Sequence, residues 1–137
     1  MSTFDVASLA EVFGDDIVHD DDGSVTTLTH GFGAEDFLRG HFPDFPVVPG
    51  VILLDGMMLA GLHAVQRGAG CAPAAVRTIT VDAVTFHRPV LPGRDVRFTA
   101  RIAERRAGGI AARCAVMVHG ARHARASMTF RFESAQS

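Results

Sequence analysis

Two side chains combine a type and a setting suited to proton transfer. His41 lies in the segment GHFPDFPVVPG, residues 40–50, where Pro43, Pro46 and Pro49 recur every third residue. Proline fixes φ and removes a backbone donor, so this stretch is predicted to be an extended, stiff loop that ends at Gly50, where a helix can begin. Asp55 is the fifth residue of that helix, flanked by Leu53, Leu54, Met57 and Met58. Apolar surroundings raise the pKa of a carboxyl group. A carboxylic acid held partly protonated near neutrality can give a proton, and a histidine near its unperturbed pKa can take one. Each residue also has a plainer reading: a hydrogen-bonded loop histidine, and an acid placed against the helix dipole.

The elements that must hold this pair follow from the hydrophobic pattern. Val51 to about Arg67 is apolar on nearly every side, which predicts a buried helix, and Gly68, Gly70 and Pro73 stop it. Ahead of it, apolar residues at 6, 9, 10 and 13 predict a helix over 4–13. The runs 17–19 and 25–29 flank Asp22-Gly23 as a hairpin. The acidic triplet Asp20 to Asp22 is read as a solvated turn, because the glycine and closing glutamate of a calcium loop are missing from their places. After Pro73 come four β-like runs, 76–86, 96–103, 110–119 and 123–132, parted by Pro92-Gly93, Gly108-Gly109 and Gly120. Strands gathered after one central helix predict an α+β fold, an antiparallel sheet curled about that helix, in one domain over residues 1–137.

Composition narrows the function classes. With 137 residues, 47% of them hydrophobic and 20% charged, the chain has the make-up of one folded domain. Cys71 and Cys114 form no C-x-x-C pair and are expected to be reduced and buried. The first 16 residues hold four acids and no Lys or Arg, unlike a secretory leader. The longest apolar run, 51–65, has 15 residues and includes Asp55 and His63, whereas a bilayer span needs about 20. No membrane span and a cytoplasmic location are therefore expected. Residues 1–55 carry a net charge of −10 and residues 56–137 carry +8, all thirteen basic residues being Arg. Trp and Tyr are absent, so bases would find no such rings to stack on, and an acidic protein suits the basic half better than nucleic acid. His119 and His123 straddle a turn and His63 lies about 80° around the helix from Asp55. All three are read as structural or surface residues, and no metal site is expected.

The segment GHFPDFPVVPGVILLDGMM resembles the active-site segment of the 3-hydroxyacyl-acyl-carrier-protein dehydratases of fatty-acid synthesis: His, Phe, the prolines, Pro-Gly-Val and an acid 14 residues after the His. VTFHRPVLPGRDV is similar to that family's second signature. The resemblance runs over roughly residues 24–132 and implies the hot-dog fold. It also implies the reaction: His41 removes the C2 proton of a (3R)-3-hydroxyacyl thioester and Asp55 helps the C3 hydroxyl leave as water, giving the trans-2-enoyl thioester. Gly50 would offer its N–H to the thioester oxygen, since amides at a helix N-terminus lack intrahelical partners. The Val47 carbonyl would orient the His41 ring. Met57, Met58, Leu59 and Phe86 would line an acyl tunnel, with core packing as the plainer role for each.

Further implications concern partners. No cofactor is expected beyond the phosphopantetheine of the acyl carrier protein that brings the substrate. A homodimer, alone or within a higher oligomer, would build each site from His41 of one subunit and Asp55 of the other. Arg105 and Arg106, expected between a strand and the Gly108-Gly109 turn, would meet the acidic carrier. Two departures from the family pattern favour a specialised polyene or polyketide pathway: Asp55 stands where the broad dehydratases carry Glu, and Leu59 where they generally have Gln. The rival readings are a hot-dog acyl-thioester hydrolase and a non-catalytic acyl-carrier-binding or oligomerisation module.

Overall fold

The computed structural model describes residues 6–14, 16–21, 24–33, 47–69 and 76–132. His41, Cys71 and the Asp22-Gly23 turn fall outside these segments. The described elements run α1 (Val6–Phe13), β1 (Ile17–His19), β2 (Thr26–Gly31), α2 (Gly50–Ala69), β3 (Val76–Phe86), β4 (Asp95–Arg106), β5 (Gly109–Val118) and β6 (Ala121–Phe132). The strands make one six-stranded sheet in the order β1-β2-β4-β5-β6-β3, and every neighbouring pair is antiparallel. The α+β arrangement predicted from the hydrophobic pattern is the one observed. Among the described residues no helix is long and apolar enough to cross a membrane.

Helix α2 packs against β2, β4, β5 and β6. Four strands span about 14 Å at their usual spacing, and a helix with its side chains is about 10–12 Å across, so the sheet has to curl to keep all four in touch with it. The strands supply the concave face from every second residue: Ile110, Ala112, Cys114, Val116 and Val118 of β5 are all buried. Leu28, Phe98, Met128 and Phe130 come from its neighbours, and Met57, Leu59, Leu62 and Val65 from the helix. Phe13 at the end of α1 closes one end of this core edge-on to Phe98, with ring centroids 5.4 Å apart. Burial raises the Cys114 thiol to about 12, so it remains an unreactive part of the core.

The helix is not covered on every side as its composition predicts. Val51 is 69% exposed, and Leu54, Asp55 and Met58 are only half-buried. These four recur at i, i+3, i+4 and i+7, so they form one stripe along the first half of α2, facing away from the sheet. The sheet covers the opposite side, and there it comes unusually close. A Cβ at Gly56 would collide with the ring of Phe98, and one at Gly61 with the ring of Phe130. Glycine weakens a helix interior by about 1 kcal/mol relative to alanine, and here that cost is offset by two aromatic rings seated against the helix backbone.

β4 departs from its predicted end. It continues to Arg106 through a register shift between Ile102 and Glu104. Arg105 and Arg106 are therefore the last residues of the strand instead of part of the turn after it. Hairpin β5–β6 turns on His119 and Gly120, both at positive φ (50° and 79°), as a two-residue primed turn requires.

Gly56→Ala is expected to lower stability by about 1–3 kcal/mol, the usual cost of an overpacked core, despite alanine's better helix propensity. A lower urea midpoint with an unchanged slope would show this; an unchanged or higher midpoint would mean that the Phe98 ring can move aside freely.

Candidate active site

The chain enters α2 through a pinned strap. The Val48 N–H donates to the Val90 carbonyl at 2.8 Å, and the Pro49 carbonyl accepts from the N–H groups of Ile52 and Leu53 at 3.0 and 3.2 Å. Pro49 thus serves as the first acceptor of the helix and brings no N–H of its own. The N–H groups of Gly50 and Val51 fall at the turn that has no intrahelical acceptor. Together with the helix dipole they form a natural seat for an oxygen that gains negative charge.

Beside this helix start lies a cavity of about 340 Å³ bordered by Val47, Gly50, Leu53, Phe86, Arg88 and Val90, among others. Phe86 is 48% exposed, and a Cβ built at Gly50 would sit 3.1 Å from its ring. A side chain at this position would need the ring to give by a few tenths of an ångström. His123 holds the far wall in place: its carbonyl accepts from the N–H groups of His87 and Arg88 at 2.8 and 3.1 Å, while its Nδ1 lies 3.2 Å from the Pro89 carbonyl. The structural role expected of His123 is the one it has.

Asp55 sits in the second turn of α2, half-buried in the uncovered stripe. Burial raises its carboxyl above the ordinary value, and desolvation is the cause. No ion pair or hydrogen bond of its carboxylate is present among the described residues. Two residues along a helix are about 200° apart, so Asp55 points almost opposite to Leu53 and away from the cavity that Leu53 and Gly50 border in the same protomer. His63, further along α2, is held below its ordinary value by burial and then by the charge of His19.

The remaining expected residues are placed as follows. Met57 and Leu59 are fully buried in the core, and Met58 is half-buried beside Asp55. Val47 borders the cavity, but its partner in the expected contact, His41, is outside the described residues. Arg105 donates from Nη2 to the Gly68 carbonyl at 2.8 Å, capping the end of α2 from the opposite sheet strand. Arg106 forms an ion pair with Glu104 at 2.7 Å. The cavity wall formed by His87, Pro89 and Val90 was marked in the sequence only by the signature VTFHRPVLPGRDV, and residue types alone assigned it no role.

A family model described as ApeI-like, the ApeI dehydratase, matches residues 20–127. The 3-hydroxyacyl-acyl-carrier-protein dehydratase FabZ of Polynucleobacter asymbioticus is 34% identical over 85 residues, covering 62% of this chain and 57% of the relative. FabZ of Allorhizobium ampelinum is 32% identical over 102 residues, covering 74% and 66%. The chain spans about half to two thirds of the length of the curated relatives it matches. Among solved structures, the E. coli PaaI protein from the phenylacetic acid degradation operon superposes with a TM-score of 0.68 at 18% identity over 92% of this chain and 89% of that one. The dehydratase heterocomplex ApeI:P from Xenorhabdus doucetiae gives 0.59 at 19% identity over 84% and 96%. At such identities the likeness is one of fold, and the fold is the hot-dog.

Because burial lifts the Asp55 carboxyl, the native chain binds more protons there than the unfolded one between the ordinary value of 3.8 and the raised one. Stability is then lost as pH rises through that window and stays lower above it. Asp55→Asn, which cannot ionise, is expected to melt above wild type at pH 7, by a margin that narrows toward acid pH. An equal or lower melting temperature at pH 7 would show that the carboxylate is stabilised by its surroundings.

Proposed function

Since the chain belongs to the ApeI-like dehydratase family, we propose that it dehydrates (3R)-3-hydroxyacyl thioesters carried on an acyl carrier protein to trans-2-enoyl thioesters, within fatty-acid or polyene or polyketide synthesis. The observation that carries the reading is Asp55, a carboxyl raised by burial on an apolar helix and without a partner among the described residues, which suits a proton donor. His41 takes the C2 proton. The electrons of that C–H bond form the C2–C3 double bond as the C3–O bond breaks, and the departing oxygen takes the Asp55 proton and leaves as water. Charge that builds on the thioester oxygen is met by the Gly50 N–H at the start of α2. Val47 orients His41 through its carbonyl, and Met58 and Phe86 line the path of the acyl chain, whereas Met57 and Leu59, fully buried between α2 and the sheet, pack the core. No cofactor is needed beyond the carrier's phosphopantetheine.

Two features support a homodimer with shared sites, alone or in a higher oligomer. Asp55 faces away from the cavity at Gly50 in its own protomer, which supports a site drawn from two copies. The stripe Val51, Leu54, Asp55 and Met58 is left incompletely covered, and strand β3, at the sheet edge, exposes Val84 and Phe86 near it. A second copy pairing along this edge buries both. The whole chain works as one domain in the cytoplasm, meeting its acidic carrier through the basic second half.

His41→Ala and Asp55→Asn are each expected to fold and to lose about 10²–10⁴ in the rate of dehydration, measured as enoyl formation. Refolded together, the two inactive variants should regain activity, because each mixed dimer restores one site of two. A folded His41→Ala protein with near wild-type turnover would remove His41 as the base, and mixed dimers without activity would remove the shared site.

The expected carrier contacts have different ties. Arg105 caps α2, so its charge reversal would also disturb the helix end; Arg106→Glu is the cleaner test. It is expected to raise KM for a carrier-linked substrate severalfold, an effect that salt diminishes, and to leave a short pantetheine thioester unaffected. Equal losses on both substrates would place Arg106 in the support of the fold.

A further inference from the structure

The outer face of the sheet, turned away from α2, carries a second and larger cleft of about 520 Å³, which includes Arg101, Arg113, Arg122, Arg125, Thr85 and Ser127 in its lining. We propose that this cleft is a binding site for a compact oligophosphate, the chemistry shared by pyrophosphate, tripolyphosphate and the phosphate chain of a nucleotide.

The register makes the case. Arg101 of β4 stands directly opposite Arg113 of β5, and Ser127 of β6 directly opposite Arg113 on its other side. One step along, Arg125 lies between Ala115 of β5 and Thr85 of β3, on the diagonal from Arg113. Directly opposed residues have Cβ atoms about 4.5–5.5 Å apart and diagonal ones about 7–8 Å, and like charges so placed destabilise a sheet. Three guanidinium groups are thus gathered within the width of a short phosphate chain, at a cost that the free protein does not recover. All four arginines are exposed, and among the described residues none is held by a carboxylate or by a hydrogen bond through its side chain. The acids nearest along this face are committed elsewhere: Glu104 to Arg106, and Asp82 as acceptor from the Thr129 hydroxyl at 2.8 Å.

The shape narrows the ligand. The volume lies in the range of small-molecule sites, and the floor between the arginines is made of small or hydroxyl-bearing residues such as Ala83, Ala115 and Ser127. An anion can descend between the guanidinium forks, which match phosphate oxygens two at a time, while the hydroxyls of Thr85 and Ser127 donate from below. No aromatic ring lines the cleft, so it holds nothing on which a base would stack, and recognition rests on the phosphates. An acidic protein surface would be served by arginines spread over a rim and has no use for a pair directly opposed above a small-residue floor.

The test is calorimetric titration of the full chain with sodium tripolyphosphate at low ionic strength, with sodium chloride added to the control at matched ionic strength. Saturable binding of one ion per protomer is expected, with a rise in melting temperature as ligand stabilises the folded state. Arg101→Gln/Arg113→Gln should weaken binding by about tenfold or more and, without any anion, should melt above wild type because the like-charge contact is gone. Arg125→Gln alone should weaken binding less, and Arg94→Gln, an exposed arginine outside the cleft, should leave it unchanged. Absence of saturable binding overturns the proposal, as does equal weakening by Arg94→Gln, which would mark general charge attraction. Stoichiometric binding of poly-glutamate with none of tripolyphosphate also overturns it, and would identify the face as a docking surface for an acidic protein.

Discussion

The rings of Phe98 and Phe130 lie against Gly56 and Gly61 of α2, and the position of everything else follows from that contact. A side chain at either glycine would push the helix off the sheet, so the two glycines set how deeply α2 sinks into the curl of the strands. Its depth fixes where its N-terminus emerges, and hence where Gly50 meets the cavity that Phe86 also borders. It also fixes which flank of the helix remains uncovered. Burial of the large core side chains is worth about 1.5–3 kcal/mol each, and these rings collect it by touching backbone where a more helix-favouring residue would have kept them away.

The uncovered flank holds both the proposed proton donor and the energetic weakness of the protomer. Burial raises the Asp55 carboxyl above its ordinary value, no charge among the described residues offsets that burial, and the apolar groups beside it are only half-covered. A carboxyl group better hydrated or paired with an arginine would stabilise the protomer and would give up its proton too early to act as an acid near neutrality. The same exposed stripe invites a second copy. In the proposed dimer, the stability lost on this flank is recovered when a second copy covers the stripe.

Arginines that look alike in the sequence take on separate work through one irregularity in β4. The register shift between Ile102 and Glu104 changes which side each later residue faces. Arg105 turns to the helix and holds the Gly68 carbonyl, while Arg106 remains outside with Glu104 and within reach of Thr129. Before the shift, Arg101 faces outward into the row it shares with Arg113. An exposed ion pair such as Arg106–Glu104 contributes at most about 1 kcal/mol, so the fold does not need it, and the opposed pair Arg101–Arg113 works against the fold.

Much of this was legible in the sequence because it rests on local physics. Runs rich in β-favouring residues marked β5 and β6, Gly108 and Gly120 marked their turns, and the prolines before Gly50 marked the strap that opens α2. The motif around His41 and Asp55 carried the family and the proposed reaction, and the apolar neighbours of Asp55 already implied its raised pKa. What the sequence could not supply depends on groups far apart along the chain. The continuous apolar character of α2 predicted cover on all sides, but cover depends on how far a curled sheet reaches, and four strands leave one flank open. Gly56 and Gly61 read as weak points of a helix until the rings of β4 and β6 are placed against them. The side that Arg105 faces was settled by a bulge two residues earlier, and the crowding of Arg101 with Arg113 by strand register. Composition can count charges, but only cross-strand pairing decides which of them must share the same few ångströms.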